Sequence, residues 1–374
     1  MSHPTTRSPP PTPDWSTEEP ETATYTGLSA LWFSLIGLLW ASYFFLEGFD
    51  FGVGMVSPLV SRDDTDRRLC MNAVGPVWDG NEVWLLVAGG ATFAAFPLWY
   101  GLLFQGAYLA LFLVLLALIA RGVSFEFRGK FDDPRWRRVW DVANFAGSLV
   151  AALIWGVAFT NFVHGLPLSA AGYTGGLIGL LNPLALLGGL AALAVFAFHG
   201  SVFLSLKTSG ALMQRAQRVA RVAGGAAVIL LAATVVGVAA GGRPWHTLAG
   251  ALPGTIPLLL GVLAVAALAF AALLVIRGRD GLAFAGTGAA VLLTMGAIFG
   301  AMWPAVIPAS NGASLALTVG AAASHPYTLE VMTVVAAIFT PLVLLYQGWT
   351  YWVFRRRLQR PAAVAVAAPG ASGG

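Results

Sequence analysis

The sequence predicts an all-α polytopic membrane protein. The expected bundle has nine transmembrane helices, with the N-terminus outside and the C-terminus in the cytoplasm. Three observations predict it. First, 57% of the 374 residues are apolar, only 10% are charged, and the mean hydropathy is +0.76. A soluble domain carries about 25% charged residues, so this chain cannot cover a water-facing surface. That excludes a soluble enzyme, a disordered protein and a nucleic-acid binder. Second, the apolar residues fall in stretches of membrane-crossing length. Third, the basic residues alternate by membrane side, so the net charge of +4 reflects that sorting and not a nucleic-acid partner. The one cysteine, Cys70, can form no disulfide within the chain and cannot alone hold a cluster or a structural zinc.

A membrane-crossing helix needs about 20 mostly apolar residues. Such stretches occur at 28–51, 77–97, 101–122, 140–163, 176–204, 220–241, 256–276, 282–303 and 329–353. The link between the second and third is short, and Pro97 makes it a turn. The fifth is long enough to tilt or protrude. Residues 1–27 are rich in Pro, Thr and Glu, and read as a disordered tail without the basic start and short apolar core of a signal peptide. Residues 356–374, whose last part is small-residue rich, read as a second tail. Of the 21 Lys and Arg, 19 follow the first, third, fifth, seventh and ninth stretches; only Arg7 and Arg243 lie elsewhere. Positive loops stay inside, which sets the expected orientation.

The acids inside these stretches are grouped. Glu47 and Asp50 end the first span; Asp79 and Glu82 begin the second. Each pair is spaced i, i+3, which places its members on one helix face. Glu47 lies about 28 Å from the outer end of its helix, at 1.5 Å per residue. Asp79 and Glu82 enter from the inner side, so all four are expected at one depth in the cytoplasmic half of the bilayer. Glu126, near the end of the third span, could extend the group towards water. A carboxylate within a span costs about 2.5–3.5 kcal/mol on insertion scales, so it normally faces a bundle interior or wet cavity. Acids so placed suit proton uptake. The competing reading places them at the headgroup boundary, paired with Arg62, Arg67, Arg68 or Arg121. Gly48, Gly52 and Gly80 flank the acids and predict close packing of the first two spans.

Membrane-bound haem needs axial ligands on the helices, usually His or Met. His199 is the one histidine inside a span; His3 is in the tail, and His164, His246 and His325 lie in or beside outer loops. A lone buried histidine is expected to be a hydrogen-bonded core residue. No cofactor-binding, metal-binding or catalytic group is therefore expected in this chain.

Several runs carry a resemblance. Glu47-Gly-Phe-Asp-Phe-Gly-Val-Gly-Met55 is followed by Asp66-Arg67-Arg68 and by Pro76-Val-Trp-Asp-Gly-Asn-Glu-Val-Trp-Leu85. Ala88-Gly-Gly-Ala91, Phe93-Ala-Ala-Phe-Pro97 and Arg121-Gly-Val-Ser-Phe-Glu-Phe-Arg128 follow. Trp140-Asp141, Gly156-Val-Ala-Phe-Thr-Asn161, Asn182-Pro183 and Val331-Met332-Thr333 extend the likeness. The chain resembles subunit II of the cytochrome bd-type quinol oxidases over about residues 28–355, most specifically in the block containing Trp78, Asn81 and Trp84. The resemblance implies a multi-pass subunit of a bacterial plasma-membrane enzyme that oxidises quinol and reduces dioxygen to water. It implies that haem b and haem d, and the quinol-oxidising loop, belong to the partner, subunit I. This chain would stabilise that partner and contribute acids to proton uptake from the cytoplasm. By motif, the family's path acids fall at Glu47 and Asp79, with Glu126 further along and Asp50 and Glu82 beside them. The alanine-rich helices suggest a high-GC bacterium, in which menaquinol is the expected donor. Membrane lipid and small accessory subunits are further partners the resemblance allows.

Two alternatives stay open on the residues alone. A proton-coupled transporter would use broken helices in paired repeats. Asn182-Pro183 interrupts the fifth span, with no counterpart elsewhere. A purely structural scaffold would leave the acids solvated or salt-bridged.

Overall fold

The computed structural model describes residues 26–241, 247–248 and 250–360. The expected tails, apart from residues 26–27 and 356–360, lie outside the described residues, as do His3, Arg7, Arg243 and His246.

Helix α1 (Gly27–Val60) is capped by Thr26, whose hydroxyl accepts from the Ser29 N–H. Its 34 residues rise about 51 Å, well beyond the hydrocarbon layer of about 30 Å. Helix α2 (Asp64–Val74) starts on the Asp63 side chain, which accepts from the Asp66 N–H. Then come α3 (Trp78–Ala95), α4 (Pro97–Phe127) and α5 (Pro134–His164). A small hairpin, β1 (Leu168–Ser169) and β2 (Gly172–Tyr173), leads to the single turn α6 (Gly176–Gly179). Helices α7 (Pro183–Lys207), α8 (Gly210–Ala240), α9 (Thr255–Ile276) and α10 (Asp280–Met302) follow. Strands β3 (Ala305–Ile307) and β4 (Leu317–Thr318) pair, and α11 (Val319–Ala322) leads into α12 (Pro326–Val353).

Eight of the described helices are long and apolar enough to cross a membrane: α1, α4, α5, α7, α8, α9, α10 and α12. Helix α3 has 18 residues and carries Asp79, Asn81 and Glu82 near its start, which lowers its hydropathy. The fifth stretch begins at Pro183 rather than at 176. Asn182 caps α7 by accepting from the Ala185 N–H, and Pro183 takes the first helical position, where its missing N–H is not needed. Several helices overrun their apolar stretches. Helix α8 starts ten residues before the expected 220, so Arg215 and Arg218 are helical, as are Arg121 in α4 and Arg135, Arg137 and Arg138 in α5. Hydropathy marks only the apolar part of a helix, whereas the helix itself continues into polar surroundings.

Helix α1 is the hub. It packs against α3, α5, α7, α10 and α12, and buries Trp32, Phe33, Ile36, Trp40, Tyr43, Phe44 and Phe51. Trp40 meets Trp155 edge-on at 5.1 Å, and Phe44 meets Phe159 at 5.0 Å. Gly48 and Gly52 do serve close packing, but their neighbour is α7 and not α3. A Cβ on Gly52 would stand 1.9 Å from the Phe196 carbonyl oxygen, and one on Gly200 would stand 2.4 Å from the Gly52 carbonyl carbon. Two backbones touch there, which only glycine permits. Gly80 faces open space. Helix α12 is the opposite case: Leu329 is its one fully buried residue.

These contacts set one expectation. Gly52→Val forces backbone apart and should destabilise by about 3 kcal/mol or more, the upper end of overpacking effects. Gly80→Ala should leave stability unchanged. The thermal midpoint of the detergent-extracted protein measures both; an unchanged midpoint in Gly52→Val would contradict the α1–α7 contact.

Candidate functional site

The site forms where α1, α3, α4 and α12 meet. Arg121 projects from α4 into the bundle and is fully buried. Its Nη1 pairs with Glu47 Oε1 of α1, and lies 3.6 Å from Glu82 Oε2 of α3. The guanidinium also stacks over Phe51 at 5.1 Å and Phe125 at 5.6 Å. Trp78 stacks on the Phe125 ring, with centroids 4.9 Å apart. Such faces attract a cation and shield it from lipid. The Arg121 carbonyl accepts from Ser124 Oγ at 2.5 Å, and Ser124 in turn accepts from Asn144 Nδ2 at 3.0 Å, tying this turn of α4 to α5.

Asp50 lies one turn after Glu47 and is also buried. Its Oδ2 accepts from Asn81 Nδ2 at 2.7 Å. Asn81 Oδ1 accepts from Gln347 Nε2 at 3.0 Å and from the Tyr351 hydroxyl at 2.8 Å. Gln347 Oε1 accepts from Trp84 Nε1 at 2.9 Å. The chamber thus holds three carboxyls, one guanidinium and two amides. Within it Glu47 Oε2, Asp50 Oδ1, Glu82 Oε2, and Arg121 Nε and Nη2 make no hydrogen bond to the chain.

The sequence placed five acids together. Glu47, Asp50 and Glu82 do converge. Asp79 does not: although i, i+3 with Glu82, it sits on the outward side of α3 and is exposed. Residues three apart differ by about 60° around the helix axis, enough to divide one inward from one outward. Glu126 is exposed near the end of α4 and makes no ion pair among the described residues. The sequence reading counted Arg121 with the loop cations and named it as one of four possible partners of the acids, but not as their centre. Its signal was position: Leu118-Ile-Ala-Arg121-Gly-Val-Ser124 is an arginine inside an apolar run. Gln347 and Tyr351 had no comparable signal.

Beyond the acids, at the α2 end of the bundle, lies a rim of ion pairs. Arg128 binds Asp141 at 2.6 Å and Asp64 at 2.7 Å, and Arg67 reaches Asp141 at 2.9 Å. Arg215 bonds to Asp66 at 2.5 Å and to the Val60 carbonyl at 2.5 Å. Residues 354–360, whose last five were expected to belong to the tail, form a strap across this rim. The Leu358 N–H donates to the Lys207 carbonyl at 2.7 Å, Lys207 Nζ donates to the Phe354 carbonyl, and Arg360 pairs with Asp63 and, at 3.5 Å, with Asp66.

His199 is buried in α7. Its Nε2 faces the Phe45 carbonyl at 3.1 Å and its Nδ1 faces Thr287 Oγ1 at 2.7 Å, while the ring stacks on Phe284 at 4.6 Å. Both ring nitrogens are thus engaged, which does not fit an axial ligand to iron. No group of three or more His, Cys, Asp or Glu able to hold a metal occurs among the described residues. An apolar cavity of about 240 Å³ lies between α5, α7, α8, α9 and α10, lined by Trp155, Thr160, Gly188, Leu231 and Met295 among others, and none of the acids lines it.

Residues 28–354 match the family model described as cytochrome bd terminal oxidase subunit II. The chain is 40% identical over 333 residues to the cytochrome bd ubiquinol oxidase subunit 2 of Bacillus subtilis, covering 88% of this chain and 97% of the relative. It is 35% identical over 370 residues to the cytochrome bd-I ubiquinol oxidase subunit 2 of Escherichia coli K12, covering 90% and 96%. In fold it is similar to a chain of the bd oxidase from Geobacillus thermodenitrificans, with TM-score 0.63, 17% identity, and coverage of 88% of this chain and 97% of that one.

The strap has a pH signature. The hydrogen bond from Arg360, and then the Asp66 N–H, hold the Asp63 carboxyl below the usual aspartate range. A carboxyl depressed in the folded state stabilises above its unfolded pKa of about 3.9 and loses that contribution as pH falls through the lower folded value. Spin labels replacing Arg62 and Arg356 should therefore keep one distance from neutral pH to about pH 4, and separate only below it. Separation beginning near pH 6 would contradict the assignment.

Proposed function

This chain belongs to the cytochrome bd terminal oxidase subunit II family, and from that premise we propose how it serves the oxidase. It is a subunit of a quinol oxidase, an oxidoreductase complex of the bacterial plasma membrane. The proposed role is twofold: to brace subunit I, which carries haem b and haem d, and to conduct protons from the cytoplasm towards it. This chain itself binds no haem in this reading. Reduction of dioxygen to two waters consumes four electrons and four protons. Quinol oxidation supplies the electrons, and the protons reach the haem side through side chains such as those of the chamber.

One observation carries the reading. Three carboxyls surround a single buried guanidinium, and three of their oxygens are left without a hydrogen bond to the chain. Buried polar atoms of this kind are normally satisfied by ordered water. Carboxyls that share one cation and contact water can exchange protons. Asp79, on the outward side of α3, is the member that would meet the partner, and Glu126 the one that would meet the cytoplasm. Menaquinol as donor, lipid contacts and small accessory subunits belong to the same proposal.

The proposed topology has nine spans. Helix α3 has 18 residues and rises about 27 Å, nearly the hydrocarbon thickness of about 30 Å. The N-terminus lies outside and the C-terminus in the cytoplasm, as the distribution of basic residues favours. The chamber and the ion-pair rim then face the cytoplasm.

The scaffold reading has an observation of its own, the Glu47–Arg121 pair, since removing one partner of such a pair is destabilising whatever its function. The test therefore normalises to assembled enzyme. Glu47→Gln together with Asp79→Asn keeps size and hydrogen-bonding capacity but removes proton exchange. Oxygen consumption per haem d under saturating quinol should fall by about tenfold or more, in line with loss of a proton-transfer group. Parental turnover per haem d, with reduced haem yield alone, would leave the acids structural and the proton role wrong.

A further inference from the structure

Helix α12 is held to the bundle by few apolar contacts. Leu329 is its one fully buried residue, and Val334, Ile338, Leu342 and Leu345 are among its exposed ones. Its attachments are largely polar. At one end Trp32 Nε1 donates to the Leu329 carbonyl at 3.1 Å and to Thr333 Oγ1 at 3.0 Å. At the other end the strap binds the rim. Between them, Gln347 and Tyr351 reach across to Asn81.

The bonds in that middle attachment have one sense. An indole N–H can only donate. Trp84 Nε1 faces Gln347 Oε1, so the amide nitrogen of Gln347 is the atom that faces Asn81. Asn81 must then present its oxygen to Gln347, and the same oxygen takes the Tyr351 hydroxyl. With Oδ1 so occupied, Asn81 Nδ2 is directed at Asp50. Turning the Asn81 amide over would set its N–H against the Gln347 N–H and its carbonyl oxygen against a carboxylate. The fixed donor at Trp84 thus orients, in turn, Gln347, Asn81 and Asp50.

We propose that Gln347 and Tyr351 are positioning residues for proton uptake: through Asn81 they pin Asp50 Oδ2 and leave Oδ1 as the oxygen that exchanges a proton with the chamber. This rests on the proton-conducting reading above, and adds to it the atom used and the helix that selects it. The geometry separates the two acids of α1. Glu47 is held by the guanidinium through Oε1; Asp50 is held by an amide through Oδ2. The oxygen of each that makes no hydrogen bond to the chain is Glu47 Oε2 and Asp50 Oδ1. The charged and titratable groups around Asp50 are Glu47 of α1, Glu82 of α3, Arg121 of α4 and Tyr351 of α12. Helix α12 is thereby a working part of the site, although it contributes no acid to it.

The test uses the assembled, haem-containing complex, with oxygen consumption per haem d measured from about pH 5.5 to about pH 9. Tyr351→Phe leaves the Gln347 bond in place and should lower turnover about threefold; Gln347→Leu with Tyr351→Phe frees the Asn81 amide and should lower it about tenfold, the scale of one to two hydrogen bonds. The pH profile of that double variant should no longer superimpose on the parent's. In an Asp50→Asn background the same two substitutions should add nothing, because the group they orient is gone. A double variant with the parental profile and turnover per haem d overturns the proposal, whatever its assembly yield. So does full additivity with Asp50→Asn. The broader reading fails differently: there Glu47→Gln and Asp50→Asn themselves keep the parental turnover.

Discussion

A guanidinium that cannot leave a low-dielectric interior organises this protein. Arg121 is fully buried in α4, and a charge inside a span costs several kcal/mol unless it is paired and bonded. Glu47 from α1 and Glu82 from α3 pair with it, aromatic faces from α1 and its own helix cover it, and the Ser124–Asn144 bond ties its turn to α5. Helices α1, α3 and α4 are brought together by apolar packing, but their register at this level follows from the arginine. Shifting α4 by one residue would swing the side chain by about 100°, away from Glu47 and Glu82.

That constraint makes a site out of a bundle. One cation amid three carboxyls leaves an excess of acid, and an excess of acid in a buried chamber is a place where protons can reside. A pair matched one to one would be merely structural. Around it the protein builds two further polar layers. The rim holds α2 through Arg128 on Asp64, Arg215 on Asp66 and its own Arg67 on Asp141, and the strap returns from α12 to the same corner through Arg360. The chamber floor, formed by Asn81, Gln347 and Tyr351, joins α3 to α12. Helix α12 is thus tied by polar contacts while its apolar side stays uncovered within this chain, as suits a helix that meets lipid or another subunit.

Much of this was legible in the sequence, for physical reasons. The long helices were readable because water-to-lipid transfer imposes an apolar stretch of fixed length. Their ends were not, because Arg215 or Arg135 continue a helix that hydropathy stops counting. Helix α2 was unreadable by hydropathy: its 11 residues mix charged and apolar side chains, and it is held by the Asp63 cap, the rim and the burial of Cys70, Ala73 and Val74. Asn182 and Pro183 announced the break before α7, which the structure places after a single helical turn. Among the acids, spacing could gather Glu47, Asp50 and Glu82 but could not see that α3 turns Asp79 outward. Gly48 and Gly52 signalled a close approach correctly and its partner wrongly, since a small-residue pattern says nothing about which helix lies opposite. Arg121 stood among four arginines that could pair with the acids, set apart by its place in an apolar run, and the contributions of Gln347 and Tyr351 depend on a helix about 270 residues away in sequence, beyond any local pattern.

The central claim is that Arg121 and Glu47 act as a coupled pair that holds the chamber together. A double-mutant cycle on chemical denaturation of the purified complex tests it most directly. Arg121→Met alone leaves Glu47 and Asp50 buried without their cation and should destabilise by about 3–5 kcal/mol. Adding Glu47→Gln should recover much of that loss, because the orphaned charge is removed with its partner. Losses that simply add would mean that the two residues do not depend on each other, and would contradict the account.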